Sequence, residues 1–129
     1  MIVVAAAVIR ERAGAPVLLT RRLAGAHLEG LWELPGGKVE EGEDPERAVA
    51  RECREEISVE IEVVEILDVA FHRYPEKDVL LLFYECRLVA GEVEHVGVAD
   101  HAWVEPDRLG DYPLPPPDAR LVAKLRAGR

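Results

Sequence analysis

The sequence is poor in cysteine, and its two cysteines, Cys53 and Cys86, show no recognisable pairing. Their spacing matches neither a disulfide framework nor the closely spaced ligands of a structural zinc site. No secretion signal precedes them, so we expect two reduced thiols in a cytoplasmic protein. A chain of 129 residues is long enough to be stabilised by a core without such staples, and we expect one domain, residues 1–129.

Positive charge is also scarce. The chain has 16 lysines and arginines against 25 aspartates and glutamates, which gives a formal net charge of −9. A protein that binds a nucleic-acid polymer normally carries a basic patch to neutralise phosphates, and no such patch is visible. If the ligand is a small polyanion, divalent cations are the obvious source of the missing positive charge.

Long hydrophobic runs are missing as well. The apolar stretch Ile2–Ile9 is too short to span a bilayer, lacks a basic flank before it, and ends at the charged residue Arg10. We interpret it as a buried strand and expect no membrane partner.

The rest of the chain alternates apolar runs with turn residues. Asp44 and Pro45 are of the types preferred at a helix N-cap and first position, and apolar residues recur from Val49 to Ile57 at helical spacing, so we expect a helix that ends near Ser58. The other expected elements are strands at Ile2–Ile9, Val17–Arg21, Glu60–Phe71, Val79–Val89 and Ala102–Val104, a glycine turn at Leu34–Gly37 after a short strand, a loop at Tyr74–Asp78, and a helix at Ala119–Ala127. This order predicts a mixed sheet with helices packed on it, an α+β fold.

Three glutamates share one arc of the first predicted helix, beside its buried edge. At 100° per residue, Glu52, Glu55 and Glu56 fall within roughly 100° of each other. Like charges at these spacings repel, and the repulsion grows beside a core because the effective dielectric falls. Either a hard dication such as Mg²⁺ offsets the repulsion, or the carboxylates are simply solvated and screened by neighbouring arginines.

The residues before and within this helix favour the first alternative, a bound dication. The chain reads Gly37-x5-Glu43-x7-Arg51-Glu52-Cys53-x-Glu55-Glu56-x-Ser58-Val59. This pattern resembles the Nudix box, G-x5-E-x7-R-E-U-x-E-E-x-G-U, in which U is a bulky apolar residue. Two positions depart from it, since Cys53 is a small residue at the first U and Ser58 replaces a glycine that serves a left-handed backbone conformation. The segments LTRR, LWELPGGK and VAKL also resemble the MutT branch of that family, and the segment YPL resembles a CTP pyrophosphohydrolase branch.

The resemblance implies a Nudix fold, an α/β/α sandwich with the box helix and the C-terminal helix on a mixed sheet, and a set of metal ligands. The implied ligands of Mg²⁺, or of Mn²⁺ in its place, are Glu52, Glu55, Glu56 and the carbonyl oxygen of Gly37. Glu43 and Arg51 are implied to form a structural ion pair between the loop and the helix. Glu52 is our first choice for the general base and Glu55 the second.

A further metal-binding glutamate is expected in the loop before Trp103. MutT-type enzymes have one there, but Gly97 occupies the aligned position in this chain. Glu94 is our first choice to replace it and Asp100 the alternative.

Four residues outside the box match nucleotide-binding positions of the MutT branch, namely Arg22, His27, Lys77 and Asp118. Arg22 is expected to contact phosphate, and Lys77 keeps the charge of an arginine without its planar fork. Asp118 stands where that branch reads the base with an asparagine, whereas the CTP branch has aspartate. An ionised carboxylate only accepts hydrogen bonds, so Asp118 would accept from amino groups of guanine or cytosine, or would donate if burial protonated it. It is equally suited to serve as the N-cap of the last helix.

The implied function is hydrolysis of a nucleoside triphosphate to monophosphate and pyrophosphate, with 8-oxo-dGTP or a (d)CTP-like nucleotide as substrate and a housecleaning role in DNA repair. The alternatives are the same chemistry on ADP-ribose or a dinucleoside polyphosphate, and a catalytically silent Nudix-like binding module. We expect a small-molecule partner, no nucleic-acid polymer, and a monomer or homodimer.

Overall fold

The computed structural model describes residues 1–26 and 29–129. Its strands are β1 (Ile2–Ile9), β2 (Val17–Arg21), β3 (Trp32–Glu33), β4 (Gly36–Lys38), β5 (Glu60–Tyr74), β6 (Lys77–Ala90) and β7 (Asp100–Val104). Its helices are α1 (Pro45–Ile57) and α2 (Ala119–Arg126), and short 3-10 helices cover Pro106–Asp111 and Pro116–Asp118. No helix in the two described ranges is long and apolar enough to cross a membrane.

Strand β1 lies inside the four-stranded sheet and pairs with a neighbour on each side. It lies parallel to β6 and antiparallel to β4, in a mixed sheet of order β4-β1-β6-β5. Because successive side chains of a strand point to opposite faces, Ala5, Ala7 and Ile9 pack in the core under α1, whereas Ala6 and Val8 pack in a second core with α2. Burial on both faces explains why β1 is a continuous apolar run. The predicted α+β class with α/β/α layers is confirmed.

The sequence predicted one sheet, but the structure has two. Strands β3, β2 and β7, in that order, form a second antiparallel sheet. Leu18 of β2 reaches the core under α1, and Val17 and Leu19 reach the core with α2. Glu33 of β3 and Arg22, which follows β2, belong to the site described below.

Helix α1 has the ends that its sequence predicts. The Asp44 carboxylate accepts a hydrogen bond from the Glu46 N–H at 2.7 Å, and Pro45 stands at the first helical position. Ser58 ends the helix in the left-handed conformation, with φ 60°, and it is the single non-glycine residue with positive φ among the described residues. Ala48, Val49, Cys53 and Ile57 form the buried face.

Two local predictions were wrong in their bounds. Tyr74 pairs with Lys77, so the expected loop is a tight turn at Pro75 and Glu76 within one long β5–β6 hairpin. The chain bends at Pro35 after the short strand β3 as expected, but Gly36 and Gly37 form the start of β4, which pairs with β1. Gly36 has φ 149°, and a Cβ there would collide with the Ala5 carbonyl, so glycine is required by close backbone approach as well as by conformation.

Candidate active site

A cleft of about 660 Å³ opens between β1, β4, the side of α1 and the segment before α2. Its described lining includes five acidic residues and three basic ones: Glu33, Glu40, Glu52, Glu56 and Asp118, with Arg22, Lys38 and Lys77. Acidic side chains therefore outnumber basic ones in a cleft whose floor is the apolar upper face of β1 and β6. A dication is the kind of ligand that this imbalance favours.

The Glu52 carboxylate lies against β4, the strand that contains Gly36 and Gly37. A Cβ built on Gly37 would lie 2.5 Å from the Glu52 Cδ atom and 2.6 Å from its Oε2, so the carboxylate occupies the space that any larger residue at position 37 would need. The Glu52 side chain is 15% exposed. Burial raises its pKa most, and the charges of Glu56 and Glu55 raise it further, while Arg51 lowers it.

Glu56 is held against the loop between β6 and β7. Its backbone carbonyl accepts from the N–H groups of Val96, at 3.2 Å, and Gly97, at 3.0 Å. A Cβ on Gly97 would collide with the Glu56 carboxylate and lie 2.8 Å from its Cδ. Burial, followed by the charges of Glu33 and Glu55, raises the pKa of Glu56. The glycine found where a glutamate was expected thus makes room for the glutamate of the helix.

Glu43 and Arg51 tie the loop to the helix. Arg51 Nε donates to Glu43 Oε2 at 2.7 Å and Nη2 to Oε1 at 3.0 Å, which is a bidentate pair. This pairing, together with the Glu40 N–H, holds the pKa of Glu43 at about 2. Arg51 Nη1 also donates to Glu52 and Glu55, at 3.2 and 3.1 Å, so one guanidinium spans three carboxylates.

Glu55 faces away from the cleft. Its side chain is 58% exposed, and it is not among the described residues that line the cleft. Glu52 and Glu56 are therefore the two glutamates of α1 in the Nudix-box pattern that line the cleft.

Glu33 was missed by the sequence reasoning. It accepts a hydrogen bond from Arg22 Nη1 at 2.7 Å, and burial raises its pKa, with a smaller contribution from Glu52. Among the described residues, the buried Nε of Arg22 has no hydrogen-bond partner. The available signal was a charged residue flanked by Trp32 and Leu34 in an otherwise apolar segment, but β3 is too short to show a period.

Asp118 occupies the N-cap position of α2 as predicted, but its side chain lines the cleft and makes no capping hydrogen bond. It is 5% exposed, lines the cleft with Pro115 and Pro117, and makes no side-chain hydrogen bond to the start of α2. Burial, and secondarily the charge of Glu33, raises its pKa to about 7. The hydrogen bond required by the N-cap interpretation is absent from the described structure.

The comparison with known proteins agrees with this geometry. The NUDIX domain model matches residues 1–125. The chain belongs to the Nudix family. It is 36% identical over 125 residues to an 8-oxo-dGTP diphosphatase of Haemophilus influenzae, covering 97% of this chain and 91% of that one. It is also 36% identical over 148 residues to a CTP pyrophosphohydrolase of Escherichia coli, covering 100% and 94% of the two chains.

Solved structures share this fold over nearly the whole chain. A MutT protein from Methanosarcina mazei superposes with a TM-score of 0.85 at 27% identity, covering 98% of this chain and 93% of that one. The ORF135 protein of E. coli superposes with a TM-score of 0.82 at 33% identity, covering 100% and 93%. The protein is therefore a hydrolase of the Nudix family, as the resemblance predicted.

The remaining expected site residues of this Nudix hydrolase are placed less uniformly. Lys77 lines the cleft, with its Nζ 5.9 Å from the Tyr74 ring centroid. His27 lies outside the described residues. Glu94 is exposed, its N–H donates to the Ile57 carbonyl at 3.0 Å, and it is not among the described residues that line the cleft.

The donor set of the Nudix box fits a hard dication. Two partly buried carboxylates, Glu52 and Glu56, face one cleft beside the backbone of Gly37, and burial and the charges of neighbouring glutamates raise the pKa values of both. Carboxylate and carbonyl oxygens are the ligands that Mg²⁺ and Mn²⁺ prefer. The raised pKa values show that the metal-free arrangement is electrostatically costly, which a bound dication would relieve.

Proposed function

We propose that this Nudix hydrolase converts a nucleoside triphosphate to monophosphate and pyrophosphate, with 8-oxo-dGTP or a (d)CTP-like nucleotide as substrate. Relatives with these two activities in their names match the chain over nearly its full length, at 36% identity each. The observation that carries the proposal is the pair of crowded carboxylates, Glu52 and Glu56, at the wall of a nucleotide-sized cleft. We propose that the biological role of the enzyme is nucleotide housecleaning and that it does not bind nucleic-acid polymers.

Glu52, Glu56 and the Gly37 carbonyl are the proposed principal ligands of Mg²⁺, with Mn²⁺ as a substitute. Glu55 and Glu94 are retained as proposed ligands of further ions, although both are exposed. Bound dications at such a site lower the pKa of a coordinated water and neutralise phosphate charge. The Glu43–Arg51 pair contributes by fixing α1 against the strand that carries Gly37; Arg51 Nη2 also donates to the Lys38 carbonyl at 3.2 Å.

Glu52 is the proposed general base. Its carboxylate is mostly shielded from bulk solvent and lines the cleft in which the substrate would lie, as a general base requires. Glu55 is the second choice because it is solvent-exposed and bound by Arg51.

Arg22 is the proposed phosphate clamp. Its side chain lines the cleft, is 31% exposed, and donates from Nη1 to Glu33. The other N–H groups of a guanidinium held in this way are suited to phosphate oxygens. Lys77 supplies a second cation at the same cleft, and His27 remains a proposed nucleotide contact from its position in the sequence.

Asp118 is the proposed reader of the base. With a pKa of about 7, its carboxyl group is half-protonated near neutral pH and can either accept from or donate to a base edge. The exocyclic amino groups of guanine and cytosine are donors, which an ionised Asp118 would accept from. This dual capacity is why the two named substrate classes are both proposed.

The test is a specificity assay across 8-oxo-dGTP, dGTP, CTP, dCTP and ADP-ribose with Mg²⁺. We expect pyrophosphate and the monophosphate in equal amounts from 8-oxo-dGTP or from a cytidine nucleotide, at a kcat/KM well above that for ADP-ribose. Preferential cleavage of ADP-ribose, or release of orthophosphate in place of pyrophosphate, would contradict the proposal.

A further inference from the structure

The loop between β6 and β7 holds a second group of metal-binding side chains, outside the acidic cleft. His95, Asp100 and His101 each offer one ligand atom, and these three atoms lie within 4.8 Å of one another. None of the three is among the described residues that line the cleft.

The backbone of this loop is fixed from two sides. Toward α1, the Glu94 N–H donates to the Ile57 carbonyl at 3.0 Å and the Gly97 N–H to the Glu56 carbonyl at 3.0 Å. Toward β2, the Ala99 N–H donates to the Arg21 carbonyl at 2.9 Å. Ligands on a backbone held in this way lose less conformational entropy on binding an ion than ligands on a free loop.

The two imidazole rings are already in contact, in a T-shaped arrangement. His95 Nε2 is 2.8 Å from His101 Nδ1, and the ring centroids are 5.0 Å apart at an angle of 61°. The Asp100 carboxylate lies 4.0 Å from His95 Nε2, and it accepts from the His101 N–H at 2.8 Å, which orients it. In tetrahedral coordination with metal–nitrogen bonds of about 2.0–2.1 Å, two nitrogens stand roughly 3.3 Å apart, so the rings need to separate by only about half an ångström.

The donor types decide which ion fits. Two neutral imidazoles and one carboxylate suit Zn²⁺ and its neighbours Co²⁺, Ni²⁺ and Cu²⁺, whereas Mg²⁺ requires oxygen ligands. His95 and Asp100 are exposed and His101 is partly buried, so a fourth position is open to water.

We propose that His95, Asp100 and His101 form a binding site for a transition-metal dication, separate from the Mg²⁺ site of the Nudix box. The ion joins His95 to the start of β7 across the loop segment that contains Gly97. Because Gly97 lies against the Glu56 carboxylate, occupancy of this site restrains the loop that borders the catalytic cleft. The ligand is a transition-metal dication such as Zn²⁺ or Co²⁺. Its binding does not depend on which nucleotide the enzyme hydrolyses.

The test is titration of the purified full chain with Zn²⁺ and with Co²⁺ in the presence of excess Mg²⁺, which occupies the oxygen-ligand site. We expect one equivalent of Zn²⁺ to bind, a rise in Tm, and Co²⁺ absorption of the intense kind given by tetrahedral nitrogen ligation. Chemical shifts of the His95 and His101 rings should change, and those of the His72 ring should not.

The variants His95→Ala and His101→Ala should each lower Zn²⁺ affinity by about 100-fold or more, since loss of a ligand exceeds the cost of losing an outer-shell partner. His72→Ala is the matched control and should bind as the parent does. Both cluster variants change solvent-accessible side chains, and circular dichroism melts without Zn²⁺ establish that they are folded. Equal Zn²⁺ affinity in the parent and both cluster variants, or Co²⁺ spectra of octahedral oxygen ligation, would overturn the proposal.

Discussion

The carboxylate of Glu56 occupies the space beside Gly97 that a side chain at position 97 would fill. The resemblance to MutT-type enzymes places a glutamate at position 97, and the structure shows instead that glycine there lets the box glutamate approach the loop. The same relationship recurs between Glu52 and Gly37. Both cleft-facing glutamates are thus positioned by a glycine.

Gly97→Ala should impair catalysis without impairing folding. The new methyl group would displace the Glu56 carboxylate, which is the flexible end of a side chain, so the backbone need not move. We expect kcat to fall by roughly ten- to a hundredfold, the cost of misplacing a group by about an ångström, together with a higher Mg²⁺ concentration for half-maximal rate. Gly110→Ala is the control, because a Cβ there meets only Arg126 Nη1 at 3.9 Å. Full activity in Gly97→Ala would show that Glu56 is not a ligand in this position.

Asp118→Asn should change how stability depends on pH. The pKa of Asp118 is raised to about 7 in the folded protein from an ordinary 3.8, so folding holds a proton that the unfolded chain releases. The contribution of Asp118 to the free energy of unfolding is fully present below about pH 4 and is lost as the pH rises to about 7. The shift of roughly three units corresponds to a loss of about 4 kcal/mol at most.

Denaturant unfolding of the metal-free protein between pH 4 and 8 measures this effect. The parent should lose stability relative to Asp118→Asn across that range, and the variant should be the more stable of the two at pH 8. Parallel stability curves for the two proteins would contradict a raised pKa. A substrate profile measured at pH 8 also tests base recognition, because asparagine both donates and accepts.

Ser58→Gly should stabilise the protein. Ser58 has φ 60°, and a left-handed conformation costs a residue with a Cβ roughly 1 kcal/mol relative to glycine. We expect a rise in Tm of a few degrees by differential scanning calorimetry, with kcat unchanged. Ser58→Ala keeps the Cβ and serves as the control, with no comparable rise. If the glycine variant melts at or below the parent temperature, the strain at this helix end is relieved elsewhere.

Helix α1 and its glutamates were predictable because their signals are local. Asp44 and Pro45 set the start, and the helical period fixes which side of the helix carries Glu52 and Glu56. The buried central strand was predictable for the same reason, since the run Ile2–Ile9 is apolar throughout.

Residues whose environment depends on distant parts of the chain were not predictable. Glu33 lies in a two-residue strand, and its burial depends on Arg22 and on the neighbouring sheet. Asp118 has the local signature of an N-cap, but the position of the cleft determines where its side chain points. The contact between Glu56 and Gly97 joins a helix to a loop about forty residues later, and no sequence period reports it.

The most direct test of the account measures Mn²⁺ binding by electron paramagnetic resonance together with pyrophosphate release from the preferred nucleotide. The parent, Glu52→Gln, Glu56→Gln and the control Glu62→Gln, whose side chain is exposed on β5, are compared under the same conditions. We predict that both cleft variants lose Mn²⁺ affinity at least about tenfold, that Glu52→Gln loses kcat by roughly a hundredfold or more, and that Glu62→Gln behaves as the parent. Unchanged Mn²⁺ affinity and pyrophosphate release in Glu52→Gln and Glu56→Gln would contradict the assignment of the acidic cleft as the catalytic centre.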